Sequence, residues 1–371
     1  MKDRYSKKIE ERVFKNILEK KLFEKKDFLI VSISGGPDST FLLHILDLFN
    51  KKYNYDLKIY LVHLNHNLRK EAKRDEDFVR ELSKKYNKEL FVKSVDINKI
   101  AKERKESIEL CGRNERQKFL KEIKKYIEEK KNKENENNSK IKLVYGHHAD
   151  DVVETFFLNI ARGSSLNGMG SIKEVNEDKV RPIIFLSKEE ILKYLEKNNI
   201  PYVIDATNFE TEYKRNKIRN VVIPYLNENI NNGASKNIFN LITEIWKVED
   251  MLKLEANLKL KEFLKNFDGY IKEFFEENKD EDKNLEDILE VKYIEIKNIK
   301  NLNEIILKKI IYILLEGYNA NSGNIEDIYN LIIKNNGNKY ILVKDEKKKR
   351  KVKFFRKKDK IYILKLKGKN E

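Results

Sequence analysis

The stretch FLIVSISGGPDS, residues 28–39, constrains this chain more than any other. Its first six residues form an apolar run of strand length, stopped by a glycine pair, which reads as a buried strand. Gly35 and Gly36 allow backbone angles closed to other residues. Pro37 suits the first turn of a helix, where its missing N–H has no bond to make, and helical spacing follows over residues 40–49. A strand that turns so into a helix can aim several N–H groups at phosphate oxygens, with partial positive charge from the helix N-terminus. Ser34, Gly35, Gly36, Pro37, Asp38 and Ser39 are therefore candidate nucleotide-binding residues, the two serines adding hydroxyl donors. The Asp38 carboxylate would repel a triphosphate unless Mg2+ bridged them, which assigns Asp38 to metal or proton handling. The glycine-lysine-serine/threonine ending of a Walker loop is absent.

Around this junction, strand and helix patterns alternate. Residues 57–64, 89–95 and 141–145 predict strands, and 75–86, 109 to about 130 and about 151–161 predict helices. That alternation predicts an α/β class with a doubly wound, mainly parallel sheet. Ligands of such sheets bind beyond the carboxyl ends of the strands, where the strand order reverses. After about residue 232 the pattern becomes long helical periodicity over 236–267, then an acidic, lysine-rich connector at 276–283, then two helices and three strand-like runs. The expected organisation is a catalytic domain over 1–232, a helical connector over 233–290 and a small basic α+β domain over 291–371.

Charge bears on the partner. The net charge of +16 suits a polyanion, although a Lys-, Asn- and Ile-rich compositional bias would also produce it. Residues 344–369 hold 14 Lys or Arg against 3 acids, with alternating hydrophobics that predict a basic hairpin turning at 357–360. Lys349, Arg350, Lys351, Lys353 and Arg356 are the expected RNA-backbone contacts; an edge strand guarded by lysines is the alternative. The single cysteine, Cys111, excludes a disulfide framework and a multi-cysteine metal site built from this chain alone. No stretch approaches the roughly 18–20 apolar residues of a membrane helix, and the charged start does not resemble a signal core, so a cytoplasmic setting without membrane contact is expected.

Residues 34–39 match the SGGxDS signature of the PP-loop ATP pyrophosphatases. Within that superfamily, residues 28–226 resemble the tRNA(Ile)-lysidine synthetases. His63-Leu64-Asn65-His66-Asn67-Leu68-Arg69 is similar to the family's HxNHxLR, and residues 112–117 to its ARxxRY, with Gly112 for Ala and Gln117 for Tyr. Residues 146–155, GHHADDVVET, match GHHxDDxxET. Arg181-Pro182, Asp205-Ala206-Thr207-Asn208 and the stretch 213–219, YKRNKIR, follow in the family's order.

The resemblance implies ATP and Mg2+, free L-lysine, and a tRNA(Ile) with a CAU anticodon. ATP would adenylate C2 of the wobble cytidine, and the lysine side-chain amine would then displace AMP. It implies catalytic roles for Asp38, Arg113 and Arg215, nucleotide contact by His66 as a neutral donor, a lysine pocket at Asp151 and Glu154, and tRNA contact by Arg116 and Arg219. Bland readings stand beside these: Asp151 and Glu154 have capping-box spacing, and the two arginine pairs could be surface ion pairs. A PP-loop tRNA thiolase is one competing class, but such enzymes generally rely on cysteine pairs. An RNA-binding protein with a relic ATP site is another, weakened by the intact Asp38 and Ser39. The oligomeric state, a homodimer among the options, stays open.

Overall fold

In a computed structural model, residues 3–367 are described except 68–71, 135, 137, 165, 171, 205–213, 268–287, 319, 335–339 and 346–349. The chain divides into two compact units, Met1–Thr243 and Glu244–Glu371, with the boundary inside one long helix, Ala234–Phe263.

The first unit is built on β1 (Phe28–Ser32), which lies parallel between β2 (Lys58–Asn65) and β4 (Ile141–Val144). With β3 (Glu89–Ser94), β5 (Val175–Asn176) and β6 (Lys179–Val180), the sheet order is β3-β2-β1-β4-β6-β5, and only the β5–β6 pairing is antiparallel. The apolar run in β1 is continuous because both faces are covered: Leu29 and Val31 join one core cluster, Phe28 and Ile30 another. Helices α1 (Arg4–Glu19), α2 (Pro37–Tyr53) and α8 (Lys188–Lys197) pack into the first core, and α5 (Ile108–Lys133) into the second. The strand order reverses between β1 and β4, so α2 and α6 (Ala149–Ala161) both begin at that crevice.

One helix start meets expectation and another differs. α2 begins at Pro37, which occupies the first turn as expected. α6 begins at Ala149, with His148 as N-cap and Asp151 at N3, so the capping box lies three residues earlier than the Asp151–Glu154 spacing suggests. Helix α8 was legible in principle: Ser187 and Glu190 form a capping box, Ser187 Oγ accepting from Glu190 N at 3.2 Å.

The second unit holds an antiparallel sheet, ordered β7-β8-β11-β10-β9, from Lys265–Asn266, Ile288–Glu295, Tyr340–Asp345, Arg350–Lys357 and Lys360–Lys367 as β7 to β11 in chain order. Helices Glu304–Leu314 and Ser322–Ile333 cover one face. The predicted basic hairpin is present as β10–β11, with the turn at Lys358 and Asp359. The connector at 276–283, Lys349, Leu68-Arg69, Asp205–Asn208 and Tyr213 lie outside the described residues.

Candidate active site

The Ser34–Ser39 turn is held by its own polar groups. Gly35 has φ +81°, and its carbonyl accepts from Thr40 Oγ1 at 3.1 Å and Val203 N at 2.9 Å. Ser34 N donates to Ser39 Oγ at 3.2 Å, and Ser39 Oγ donates to Gly36 O at 3.1 Å. A Cβ at Gly146 would lie 3.1 Å from the Asp38 carbonyl oxygen, so a larger residue there would have to push the start of α2 away by a few tenths of an ångström. At these strand ends lies a cavity of about 600 Å3, lined by the turn, Asn65, His66, Asp75, Arg116, His147 and Asp151 among others.

Asp38 sits on the cavity wall beside a cation that the sequence did not single out. Lys188 Nζ donates to Asp38 Oδ1 at 2.6 Å, while Lys188 N donates to Asp150 Oδ2 at 2.7 Å. His148, buried, lies among three carboxylates: Nε2 is 3.7 Å from Asp38 and 3.4 Å from Asp151, and Nδ1 is 3.3 Å from Asp150. Burial opposes its charge, but Asp151, then Asp150 and Asp38, outweigh it and raise its pKa to about 9. The three carboxylates therefore favour the charged form of His148 at neutral pH, in contrast to the neutral donor expected at His66.

His66 and His147 are the neutral pair. Burial, then the Arg116 charge, lowers His66 to about 4. Burial likewise dominates at His147, also about 4. Each takes an arginine N–H on one ring nitrogen: Arg116 donates to His66 Nε2 at 3.2 Å, and Arg181 Nε to His147 Nδ1 at 3.0 Å. Because guanidinium only donates, the proton must sit on His66 Nδ1 and His147 Nε2. His66 Nδ1 is buried without a hydrogen-bond partner among the described residues. Arg181, which sequence reasoning quoted but gave no role, is buried and also donates to Lys173 O at 2.6 Å, its guanidinium 5.7 Å from the Tyr145 ring. Arg113 is exposed, with no hydrogen bond or ion pair among the described residues.

The other arginine pair has a different fate. Arg215 lies on the short helix Lys214–Lys217, and Arg219 on the π-helical stretch Ile218–Val222 that continues it. Arg215 donates to Glu154 Oε2 at 2.7 Å and Asp151 Oδ1 at 2.8 Å. Arg219 donates to Glu154 Oε1 at 2.5 Å and Oε2 at 2.9 Å, and to Asp151 Oδ1 at 3.4 Å. Glu154 is 1% exposed. Although burial opposes ionisation of Asp151, the charges of His148 and Arg215 hold its carboxyl well below the usual range. Four residues singled out for three separate tasks thus form one charge network.

A family model for the PP-loop domain matches residues 6–226. A tRNA(Ile)-lysidine synthase from Caldanaerobacter subterraneus is 32% identical over 93% of this chain and 71% of its own length. The chain belongs to the tRNA(Ile)-lysidine synthase family of PP-loop proteins. Relatives from Thermosipho africanus and Clostridium perfringens are 34% and 40% identical over 73% and 60% of this chain. The chain spans only 59% and 45% of those two proteins' lengths. Among solved structures, the U34-tRNA thiolase NcsA from Methanococcus maripaludis, shown with its [4Fe-4S] cluster, shares the fold at TM-score 0.51. It is 17% identical, with 66% of this chain and 79% of that one covered.

Of the RNA-backbone contacts expected from the basic hairpin in the second unit, Lys353 needs correction. It is 2% exposed, pairs across the sheet with Leu364, and holds its ammonium 4.1 Å from the Tyr340 ring centroid. The strand period of two puts Lys353 on the same face as buried Phe355, which charge counting cannot foresee. Arg356 donates to the carbonyls of Leu331, Ile332 and Lys334 at 3.1, 2.8 and 3.1 Å, capping the helix Ser322–Ile333. Arg350 is exposed and stacks over Tyr318 at 5.8 Å; Lys351 is half-buried. No helix among the described residues is long and apolar enough to cross a membrane.

Proposed function

We propose that the protein joins free L-lysine to C2 of the wobble cytidine of a CAU-anticodon tRNA(Ile), at the expense of ATP, through an adenylated base. The carrying observation is one cavity that joins the phosphate turn after β1 to Asp151 at the start of α6. The turn's N–H groups and hydroxyls bind the triphosphate. Asp38 suits Mg2+, which is bound through one or two carboxylates plus substrate phosphates and supplies charge neutralisation there. The orphaned His66 Nδ1–H offers the nucleotide a donor that costs free energy while unmet. Arg113, without a carboxylate partner among the described residues, steadies negative charge developing on the phosphate.

Adenylation forms a bond from the cytidine O2 to the α-phosphorus, and pyrophosphate leaves with the bridging oxygen. The lysine amine then attacks C2 and AMP departs. Asp151 and Glu154 remain the proposed lysine-binding carboxylates, with the substrate ammonium competing against Arg215 and Arg219 for Asp151, the one that lines the cavity. A wobble base is single-stranded, so its edge enters a pocket without opening a duplex. Arg116, Arg219, Arg350, Lys351 and Arg356 are proposed to bear on the RNA, with residues 1–232 catalytic, 233–290 connecting and 291–371 gripping tRNA. The thiolase alternative would need a second cysteine beside buried Cys111. Incubation with ATP, Mg2+, lysine and a CAU tRNA(Ile) transcript should yield AMP and an RNA heavier by one lysine less water. AMP release with no lysine in the RNA, or sulfur in its place, overturns the proposal.

A further inference from the structure

We infer that Arg181 is a positioning residue of this site: it holds His147 in the tautomer that carries its proton on Nε2, which makes the ring a hydrogen-bond donor to a substrate oxygen. The identity of that oxygen rests on the reading above. Arg181 follows β6, the strand beside β4, and His147 follows β4. Tyr145 N donates to Val180 O at 3.0 Å and Arg181 N to Glu174 O at 2.9 Å, so both backbones are fixed where the side chains meet. The guanidinium is shared between Nε, which donates to His147 Nδ1 at 3.0 Å, and Nη1, which donates to Lys173 O at 2.6 Å. Arg181 is 8% exposed and bonds no carboxylate among the described residues. A buried cation without a counter-charge costs stability, and tying down one carbonyl does not require a charge.

What the guanidinium does supply is a group that can only donate. An amide or hydroxyl at this position would bond either tautomer of the imidazole; a guanidinium bonds only a ring nitrogen that has kept its lone pair. The proton is thereby confined to Nε2. Burial above all, with the Arg181, Arg215 and His148 charges, outweighs Asp151 and keeps the ring neutral, its pKa at about 4. The Tyr145 ring, its centroid 5.7 Å away and its plane inclined by 29°, stacks on the imidazole. His147 lines the cavity together with the phosphate turn and Asp151, and Nε2 makes no hydrogen bond among the described residues. That N–H suits an oxygen acceptor of the reacting groups, the cytidine O2 or an α-phosphate oxygen. The same constraint excludes His147 as the base for the attacking lysine amine, because its one lone pair is committed to Arg181.

Long-range proton–nitrogen NMR spectra of the imidazoles in the full chain, at neutral pH and without substrate, test this by telling a protonated ring nitrogen from a bare one. The His147 signal is identified by its loss in His147→Asn. The unmodified protein should show a bare Nδ1 and a protonated Nε2, and so should Arg181→Lys, whose ammonium also only donates. Arg181→Gln, whose amide donates or accepts, should show both tautomers and slow AMP formation about tenfold, the scale of one hydrogen bond; Arg181→Lys should restore most of that rate. Adding Mg2+–α,β-methylene-ATP or, separately, the CAU tRNA(Ile) transcript tells the two oxygen sources apart by which one moves the Nε2 resonance. A proton on Nδ1 in the unmodified protein, an unchanged tautomer in Arg181→Gln, or an Nε2 resonance that neither addition moves overturns the inference. If Arg181→Gln does not fold, the spectrum of the unmodified protein still decides. The expected tautomer in a protein that forms no lysidine would instead sink the functional reading and leave the role of Arg181 standing.

Discussion

Arg113 and Arg116 on α5, and Arg215 and Arg219 on the helix that follows residue 213, look alike as spaced pairs; Arg116 lines the cavity, and Arg215 and Arg219 bond Asp151, which also lines it. Their surroundings differ in one respect. The second pair meets two carboxylates, Asp151 and nearly inaccessible Glu154, and all four charges are mutually satisfied. Among the described residues the first pair meets no carboxylate; Arg116 bonds a neutral histidine and Arg113 bonds nothing. A guanidinium already paired in a buried network is a structural element that a ligand must compete for. One without a carboxylate partner is ready for an anion. The contrast teaches that sign and spacing do not separate these roles; the partner does.

The largest expected effect breaks the paired side. Glu154→Gln leaves two half-buried guanidiniums short of a carboxylate, and thermal unfolding should show a loss of about 3 kcal/mol, the scale of a broken buried pair. A melting temperature equal to that of the unmodified protein would show that the network is not structural. The unpaired side should behave in the opposite way. Arg113→Ala should slow lysidine formation about a hundredfold without moving the melting temperature, and a stability loss comparable to that of Glu154→Gln would erase the distinction.

A pH-dependent effect follows from the two neutral histidines, His66 bonded by Arg116 and His147 bonded by Arg181. With His66 and His147 at about 4 in the fold against 6.5 ordinarily, the unfolded chain takes up protons first as pH falls. Stability conferred by their neutral rings is complete above about pH 6.5 and drains away toward pH 4. Denaturation midpoints across that window should decline, and His66→Asn with His147→Asn should flatten the decline; an unchanged slope would mean that these rings titrate normally. The smallest effect concerns Gly112, whose added Cβ would lie 3.2 Å from His66 Cε1. Helix propensity gains about 1 kcal/mol from Gly112→Ala while His66 must give way, so the net change in unfolding free energy should stay under about 1 kcal/mol. A larger loss would show the His66–Arg116 contact to be rigid.

Much of this was legible without coordinates, and the limits fall at identifiable residues. The apolar run 28–33, the glycine turn, Pro37 and the strand–helix alternation are local signals, each written within a dozen residues, and the parallel sheet follows from them. Their reach ends where contacts are long-range. Arg215 meets Asp151 across 64 residues and Lys188 meets Asp38 across 150, because a reversal of strand order between β1 and β4 carries distant helix starts to one crevice. Lys353 was lost within a run of basic residues because burial depends on what lies over a sheet face. The sequence alone therefore determined the phosphate turn and the sheet that presents it. Only the tertiary structure decided which charges are spent on each other and which are left for a ligand, since pairing depends on distance in space and on exclusion of water.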